Sequence, residues 1–311
     1  METSHIVLPS TDLHVHPLCL GTNIMGGAAT KAESIGVLDA YAAHGGNFID
    51  SADMYSEWVP GNSGHDSEAI IGEWMKSKGN RDQMVIATKV SKLSTRPGLS
   101  AANIKAAVDE SLAALQTDYI DIYYAHSDDE TVPLTETLQA FTDLINAGKV
   151  RYIAASNYTG ARLQEALDLS AANGLAKYTG LQNLYNLLDR NEYESDVAAV
   201  VEKNGLWGAP FYGLAKGFLS GKYAPGVKIE GSARDTTVYQ NDRGWAVIDA
   251  LRDIAKSHGA SVSAVSLAWL RAQTGVTTPI ASARNAAQLA EIVQVVELTH
   301  DELAHLTRLS K

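Results

Sequence analysis

The chain has 311 residues, a formal net charge of −11 and a single cysteine, Cys19. The excess of acidic residues argues against a nucleic-acid surface, which needs clustered Lys and Arg. One cysteine cannot form an internal disulfide, and no stretch is apolar for long enough to cross a bilayer. We therefore expect a cytoplasmic protein that contacts neither nucleic acid nor membrane.

Apolar runs typical of buried strands alternate with helical patterns along the first half of the chain. A short hairpin is predicted first, from segments 6–8 and 13–16. Strands are then predicted at 18–21, 47–51, 84–88 and 119–124, and the helices that follow them at 31–44, 67–78, 100–115 and 134–147. Each strand and the next helix form one βα unit.

The second half continues this alternation. Strands are predicted at 150–155, 178–181, 206–211 and 277–281, helices at 160–172, 193–203, 245–257, 262–272, 286–296 and 301–309, and a long loop at 213–243. Eight βα units predict a (β/α)₈ TIM barrel, with the hairpin and extra C-terminal helices in the same single domain, residues 1–311. An open doubly wound sheet is the alternative, but segment 21–26 lacks the glycine spacing of its phosphate-binding turn.

Polar side chains end most of the predicted strands. Active sites of such barrels lie at the C-terminal ends of the strands, so these side chains are candidates for a site. The positions are Asp50, Lys89, His126, Ser156, Asn157, Gln182, Asn183 and Ser282. Polar residues at strand ends also cap helices and satisfy loops, which is the alternative for any one of them.

Asp50, Lys89, His126 and the nearby Tyr55 suggest proton transfer to a carbonyl oxygen. A free tyrosine has a pKa of about 10, and an adjacent ammonium eases release of its proton. Lys89 would tune Tyr55, Asp50 would keep Lys89 charged, and His126 would orient the carbonyl oxygen. Because the set contains neither a nucleophile nor a metal, a hydride from a nicotinamide is the reasonable attacking group.

The chain resembles the aldo-keto reductases, from segment 18–22 to segment 285–289. The matching motifs are FIDSADMY at 48–55, IATK at 86–89, YIDIYYAH at 119–126, GKVRYIAASN at 148–157, QNLYNLLDR at 182–190 and GFLSGKY at 217–223. The resemblance implies a catalytic tetrad of Asp50, Tyr55, Lys89 and His126, with Tyr55 as general acid. It also implies NADPH bound across the barrel mouth, with NADH as a possible substitute.

The resemblance further implies a set of cofactor-binding residues. Ser156, Asn157 and Gln182 would hold the nicotinamide carboxamide, Phe211 would stack on its ring, and Arg284 would favour NADPH by pairing with the 2′-phosphate. The full set is Gly21, Thr22, Asn23, Asp50, Ser156, Asn157, Gln182, Phe211, Tyr212, Gly213, Leu214, Lys216, Gly217, Lys222, Ser282, Arg284 and Gln288.

The substrate is expected to be a small carbonyl compound, such as a sugar-like or xenobiotic carbonyl, contacted by Tyr55, Trp58 and His126. Trp58 lies in loop 56–64, which would form one wall of the pocket; simple packing on the barrel rim is the alternative for this residue. We expect a monomer or a weak homo-oligomer.

Three other functions are considered. His14 and His16 form the His-x-His pattern of a metal hydrolase, but strand eight lacks the required Asp, so we interpret both as exposed hairpin residues and expect no metal. Lys89 is the candidate nucleophile of a Schiff-base aldolase, a role that needs a neutral amine. A redox-sensing regulatory subunit that binds NADPH with little turnover is the third.

Overall fold

The computed structural model describes residues 5–227 and 234–311. Its strands are β1 (Ile6–Val7), β2 (His14–Val15), β3 (Cys19–Gly21), β4 (Phe48–Asp50), β5 (Val85–Val90), β6 (Ile120–Ala125), β7 (Val150–Ser156), β8 (Tyr178–Gln182), β9 (Trp207–Gly208) and β10 (Ile280–Ala281). The first two form an antiparallel hairpin, and the other eight form one parallel sheet.

Helices connect the strands of the parallel sheet. They are α1 (Lys31–Ala43), α2 (Asp66–Lys78), α3 (Ala101–Leu115), α4 (Leu134–Asn146), α5 (Gly160–Asn173), α6 (Ala198–Lys203), α7 (Asp242–His258), α8 (Val262–Arg271), α9 (Ala286–Ile292) and α10 (His300–Leu309). Many begin at a residue whose side chain accepts a backbone N–H of the first turn; Thr30 does so for α1, where Glu33 completes a capping box. Residues of these types therefore fix where many of the helices begin.

The parallel sheet curls into a closed ring. Its strand order is β10-β3-β4-β5-β6-β7-β8-β9. The two edges meet where the amide of Thr277 donates to the carbonyl of Gly208 at 2.8 Å and that of Ile280 donates to Pro210 at 2.9 Å. The predicted (β/α)₈ barrel with an N-terminal hairpin is therefore confirmed.

Side chains alternate between the barrel interior and the helix layer, as the pleat of a strand requires. Phe48 on β4 and Val85 and Ala87 on β5 belong to the interior cluster, whereas Ile49 and Ile86 pack under the helices. Two residues beyond Phe48 and Ala87, the same inward alternation brings Asp50 and Lys89 to the C-terminal end of the interior. An apolar barrel core therefore ends in a polar layer.

The hairpin closes the N-terminal end of the barrel. Its apolar side chains Leu8, Leu13 and Val15 belong to the same buried cluster as Phe48. The side chain of Asn47, just before β4, holds the hairpin in place: Nδ2 donates to the His14 carbonyl at 2.8 Å, and Oδ1 accepts the backbone N–H of His16 at 2.8 Å. The opening of the barrel therefore lies at the opposite end.

The expectation that both hairpin histidines are exposed is correct for His14 and wrong for His16. His16 is fully buried, its Nδ1 accepts the Leu18 amide at 3.0 Å, and its ring packs edge-on against Tyr41. Burial lowers the pKa of His16 to about 4, so the ring is neutral. The alternating pattern of the sequence did not reveal that the chain folds under the barrel here.

Several predicted elements differ in extent from the structure, among them the strand predicted at 277–281, of which only β10 forms. The strand predicted at 206–211 is only β9, because Pro210 has no amide for a ladder. The helix predicted at 286–296 ends at Ile292, and α7 begins at Asp242, where Asn241 caps it. The loop predicted at 213–243 contains short 3₁₀ turns at Ala215–Ser220 and Thr237–Tyr239; its residues 228–233 lie outside the described part.

Candidate active site

A cleft of about 800 Å³ opens at the C-terminal ends of the strands. Among the residues that line it are Gly21, Asn23, Asp50, Tyr55, Trp58, His126, Ser156, Asn157, Gln182, Phe211, Tyr212, Gly213, Leu214, Lys216, Gly217, Lys222, Ser282, Arg284 and Gln288. Almost every candidate site residue of the sequence thus lies at one place. Thr22 and Lys89 lie behind this surface.

Asp50 and Lys89 form a buried ion pair at the floor of the cleft. The register places Asp50 beside Ala87, so Lys89 lies one inward step further along β5. Lys89 Nζ donates to Asp50 Oδ2 at 2.7 Å, to the Ser51 carbonyl at 2.6 Å and to the Tyr55 hydroxyl at 2.9 Å. All three ammonium protons therefore have acceptors. Burial opposes the charge of Lys89, but Asp50 and Tyr55 outweigh burial and raise its pKa.

Gln182 and Thr22 fix Asp50 from two further directions. Gln182 Nε2 donates to Asp50 Oδ1 at 2.9 Å from β8. The Thr22 hydroxyl donates to the Asp50 carbonyl at 2.8 Å and accepts from Ser67 at 2.7 Å. Thr22 therefore holds the backbone of Asp50, while the side chain of Asp50 is engaged on both oxygens.

Tyr55 presents its hydroxyl above this ion pair. The hydroxyl lies 2.9 Å from Lys89 Nζ and 3.4 Å from Asp50 Oδ2. Burial raises the pKa of Tyr55 to about 12, and the charge of Lys89 acts in the opposite direction. The phenol is therefore protonated near neutral pH, with an ammonium in position to stabilise the phenolate once the proton leaves.

His126 follows β6 and faces Tyr55. The two ring centroids lie 6.0 Å apart in an edge-to-face arrangement. Burial, followed by the positive charges of Lys89 and Lys92, lowers the pKa of His126 well below its ordinary value, so the imidazole is neutral. A neutral imidazole can donate one hydrogen bond to a carbonyl oxygen without carrying charge into the cleft.

A second buried carboxylate, Asp53, lies three residues beyond Asp50 and outside the cleft lining. Within residues 5–227 and 234–311, its oxygens have no side-chain hydrogen-bond partner. Its neighbour Glu68 bonds Thr88 and His65, each at 2.5 Å. Burial and the charge of Glu68 raise the pKa of Asp53 to about 7. This carboxyl thus contrasts with the fully paired Asp50.

The candidate nicotinamide-binding residues come together on β7, β8 and the segment after β9. Asn157 Nδ2 donates to the His126 carbonyl at 2.9 Å and to the Ser156 hydroxyl at 3.0 Å. Asn157 has a left-handed backbone, with φ of 56°, a conformation that asparagine tolerates better than most residues. Phe211 borders the same cleft and packs edge-on against Tyr212.

The charge of the cleft lining is opposite to that of the chain as a whole. The described lining includes five cations, Lys92, Lys216, Lys222, Arg234 and Arg284, but only two acidic residues, Asp50 and Glu291. The formal net charge of the chain is −11. Because Asp50 is already paired with Lys89, the cleft attracts anions, and its donor set fits the phosphates of a dinucleotide.

Sequence reasoning missed several residues of the lining. Lys92, Arg234 and Glu291 are charged, and Ile24, Met54 and Ser263 are among the uncharged ones. Lys92 follows the end of β5, where its position three residues after Lys89 was an available signal. Arg234 belongs to the loop predicted at 213–243, and its guanidinium carbon lies 5.0 Å from the centroid of the Tyr212 ring. Nothing in the local sequence indicates this contact.

Comparisons with known proteins agree with this arrangement. The model of the Aldo/keto reductase family matches residues 17–311. Protein tas of Escherichia coli is 32% identical, with 96% of this chain and 95% of that protein covered. The norsolorinic acid reductase stcV of Emericella nidulans is 29% identical over 96% of this chain and 79% of its own length. The NADP(+) aryl-alcohol dehydrogenase of Phanerodontia chrysosporium is 29% identical over 94% and 81%.

The barrel, the arrangement of Tyr55, Lys89, Asp50 and His126 at its cleft, and the oxidoreductase names of two of these relatives define the class of protein as an oxidoreductase. More narrowly, the chain belongs to the Aldo/keto reductase family, as the match over nearly its whole length shows.

Proposed function

We propose that this protein reduces an aldehyde or ketone to the alcohol with NADPH, using Tyr55 as the general acid. The observation that carries the proposal is the set of hydrogen bonds from Lys89 to Asp50, Ser51 and Tyr55 at the floor of a cationic cleft. The dinucleotide, when bound, supplies the hydride. The chain must then supply the proton and the orientation of the carbonyl group.

Each member of the tetrad has a distinct role in this proposal. Tyr55 donates its hydroxyl proton to the carbonyl oxygen, and Lys89 stabilises the phenolate that remains. Asp50 keeps Lys89 charged and in place. His126, neutral because of burial and the nearby lysines, donates a hydrogen bond to the same oxygen and orients it.

The cofactor-binding residues proposed from the family resemblance have chemical groups that suit the parts of a nicotinamide dinucleotide. Ser156, Asn157 and Gln182 provide polar groups for a carboxamide, and Phe211 provides an apolar face for a flat ring. Lys216, Lys222 and Arg284 provide cations for phosphates, and Arg234, which was not in the set, lines the same cleft. Arg284 supports NADPH over NADH, because a 2′-phosphate offers it an additional anion.

The substrate is proposed to be an aromatic carbonyl compound. The names of two relatives refer to aryl alcohols and norsolorinic acid. Trp58 supports this choice, because its side chain is 56% exposed beside Tyr55, with the ring centroids 6.5 Å apart. An exposed indole offers a flat apolar face to an aromatic ring.

The Schiff-base aldolase is disfavoured by the electrostatics of Lys89. That mechanism needs a neutral amine, whereas Asp50 and Tyr55 raise the pKa of Lys89 against the effect of burial. Steady-state turnover distinguishes the reductase from a redox-sensing subunit.

Within the described residues no helix is long and apolar enough to span a membrane. The single unpaired Cys19 supports our proposal of a cytoplasmic location, and a monomer or weak oligomer remains our prediction.

The test is to follow nicotinamide absorbance with a panel of aryl aldehydes, NADPH or NADH, and the Tyr55→Phe variant. We expect Tyr55→Phe to lose about 10³-fold in kcat while binding NADPH nearly unchanged, because only the transferable proton is removed. Tyr152→Phe, which removes a hydroxyl bonded to Asp12 outside the cleft, is the matched control and should retain its activity. Full activity of Tyr55→Phe, or loss of cofactor binding, would contradict the role of Tyr55.

A further inference from the structure

Lys92 is a cation in the cleft that the proposed cofactor contacts do not use. It lines the cleft together with Tyr55, Trp58 and His126. Throughout residues 5–227 and 234–311, no carboxylate lies within 4.0 Å of its ammonium group, whereas Lys89 and Lys105 each have such a partner. An unpaired cation at the wall of a cleft can interact with a bound anion.

The barrel topology separates Lys92 from the other cations of the lining. Lys92 follows β5, whereas Lys216, Lys222 and Arg234 follow β9. These two strands are four positions apart around the ring in either direction, so they lie on opposite sides of the barrel. Arg284 follows β10, next to β9 across the closure. The phosphates of one dinucleotide placed on the β9 and β10 side therefore leave Lys92 free to act on another molecule.

The neighbours of Lys92 define where such a molecule would lie. β5 stands between β4, which leads into Tyr55, and β6, which leads into His126. The positive charge of Lys92 contributes to the lowered pKa of His126, after burial and Lys89, so the ammonium acts on the part of the cleft where the reacting carbonyl is placed. The nearby Trp58 gives this part an exposed aromatic face.

We propose that Lys92 is a specificity-determining residue that selects aryl carbonyl substrates carrying a carboxylate. This inference rests on the proposed reductase function. The carbonyl group lies at Tyr55 and His126, the aromatic ring lies against Trp58, and the carboxylate pairs with the Lys92 ammonium. No bond forms or breaks at Lys92, which acts only on binding and orientation.

The test compares 3- and 4-carboxybenzaldehyde with their methyl esters, at saturating NADPH, in the unaltered protein and in Lys92→Met. The esters keep the ring and the aldehyde and lose only the charge. We expect Lys92→Met to lower kcat/KM for the better carboxylate about tenfold and to change that for its ester less than about twofold. The preference of the unaltered protein for the carboxylate should shrink as salt is added, since an exposed pair is screened.

Two further variants keep the test decisive. Lys76→Met removes an equal charge from the exposed surface of α2 and should leave both substrates unchanged. Lys92→Glu should reverse the preference, toward 4-(trimethylammonio)benzaldehyde, a gain that misfolding cannot produce.

Equal losses for carboxylate and ester in Lys92→Met would overturn the inference and leave the reductase function standing, since Lys92 would then act only through His126. If no aldehyde of the panel is reduced, the reductase function itself fails. In that case, binding of 4-(hydroxymethyl)benzoate, followed by tryptophan fluorescence, still tests Lys92, because an affinity unchanged by Lys92→Met contradicts its role.

Discussion

Two buried carboxylates near opposite ends of the barrel bind cations in different ways. Asp121, near the N-terminal end of β6, accepts from Arg81 and Arg151 at 2.8 Å each and from the Ile86 amide at 2.9 Å. Asp50, at the C-terminal end of β4, accepts from Lys89 and Gln182. Both side chains are 2% exposed. Their partners, rather than their burial, set them apart.

The partners of Asp121 are two guanidinium groups that stay charged at any ordinary pH. They fill its oxygens and connect strands β5, β6 and β7, so this cluster serves the structure of the barrel. The main partner of Asp50 is an amine that also contacts a phenol and borders a cavity. The comparison teaches that a buried ion pair is a candidate for chemistry when one member can act on a third, titratable group facing open space.

Replacement of Lys89 by Met should have the largest effect, because it removes the group that stabilises the Tyr55 phenolate. We expect kcat to fall by about 10³-fold, roughly 4 kcal/mol in the activation barrier. Single-turnover rates with pre-bound NADPH measure this step apart from binding. Lys105→Met, which removes an exposed pairing with Asp143, is the control. A variant that keeps the full rate would show that Tyr55 needs no neighbouring ammonium.

Replacement of Asp121 by Asn should act on stability and spare catalysis. Loss of the carboxylate leaves Arg81 and Arg151 without their shared partner, so the free energy of unfolding should fall by about 3 kcal/mol. Urea unfolding measures the change, and kcat/KM of the folded variant should stay within about twofold of the original. Asp143→Asn, at an exposed ion pair, should cost less than about 1 kcal/mol. If Asp121→Asn lost activity without losing stability, the assignment of a structural role to Asp121 and a catalytic role to Asp50 would be wrong.

Replacement of Asp53 by Asn should have the smallest effect, one that depends on pH. The pKa of Asp53 is raised from 3.8 to about 7, so over this range the folded protein keeps a proton that the unfolded chain has released. The contribution of Asp53 to stability therefore decreases as the pH rises from about 4 to about 7 and stays low above that. Glu68, His65 and Arg96 are the charged groups that act on it.

The Asn variant does not ionise, so it should gain stability relative to the unaltered protein on going from about pH 5 to about pH 8, by on the order of 2 kcal/mol. Urea unfolding at both pH values gives the difference. The exposed Asp118→Asn is the control and should show no such trend. A gain that is the same at both pH values would mean that Asp53 does not titrate in this range.

Much of the fold and of the site was predictable, because the fold follows from the spacing of apolar residues along the chain and the site follows from which residues end the strands. Eight apolar strands alternating with helices indicated the barrel, and the inward alternation of β4 and β5 explains why Asp50 and Lys89 meet. Asp50 pairs with Lys89, 39 positions later, because adjacent parallel strands bring their C-terminal ends together.

The remaining features depend on contacts between distant segments that no local pattern encodes. His16 is buried because the hairpin folds under the barrel and meets Tyr41 on α1. Asp53 has a raised pKa because it is buried and because Glu68, on the next helix, is close enough for its charge to act on it. Arg234 borders the cleft, where its guanidinium lies over the ring of Tyr212. In each case, a residue that looks ordinary in its own segment acquires its property from a partner on another element.

The hairpin covers the N-terminal end of the barrel, and the cleft opens at the C-terminal end, beside Tyr55. The Lys89 ammonium is fully buried, and the Tyr55 hydroxyl lies 2.9 Å from it, on the side of the cleft. A molecule seated over Tyr55 therefore displaces water from the cleft side of the phenol, above an ion pair that is already buried. The electrostatic field of Lys89 at the phenol strengthens at that moment, since the dielectric around it falls. Occupancy of the mouth and activation of the acid are thus coupled by the shape of the barrel.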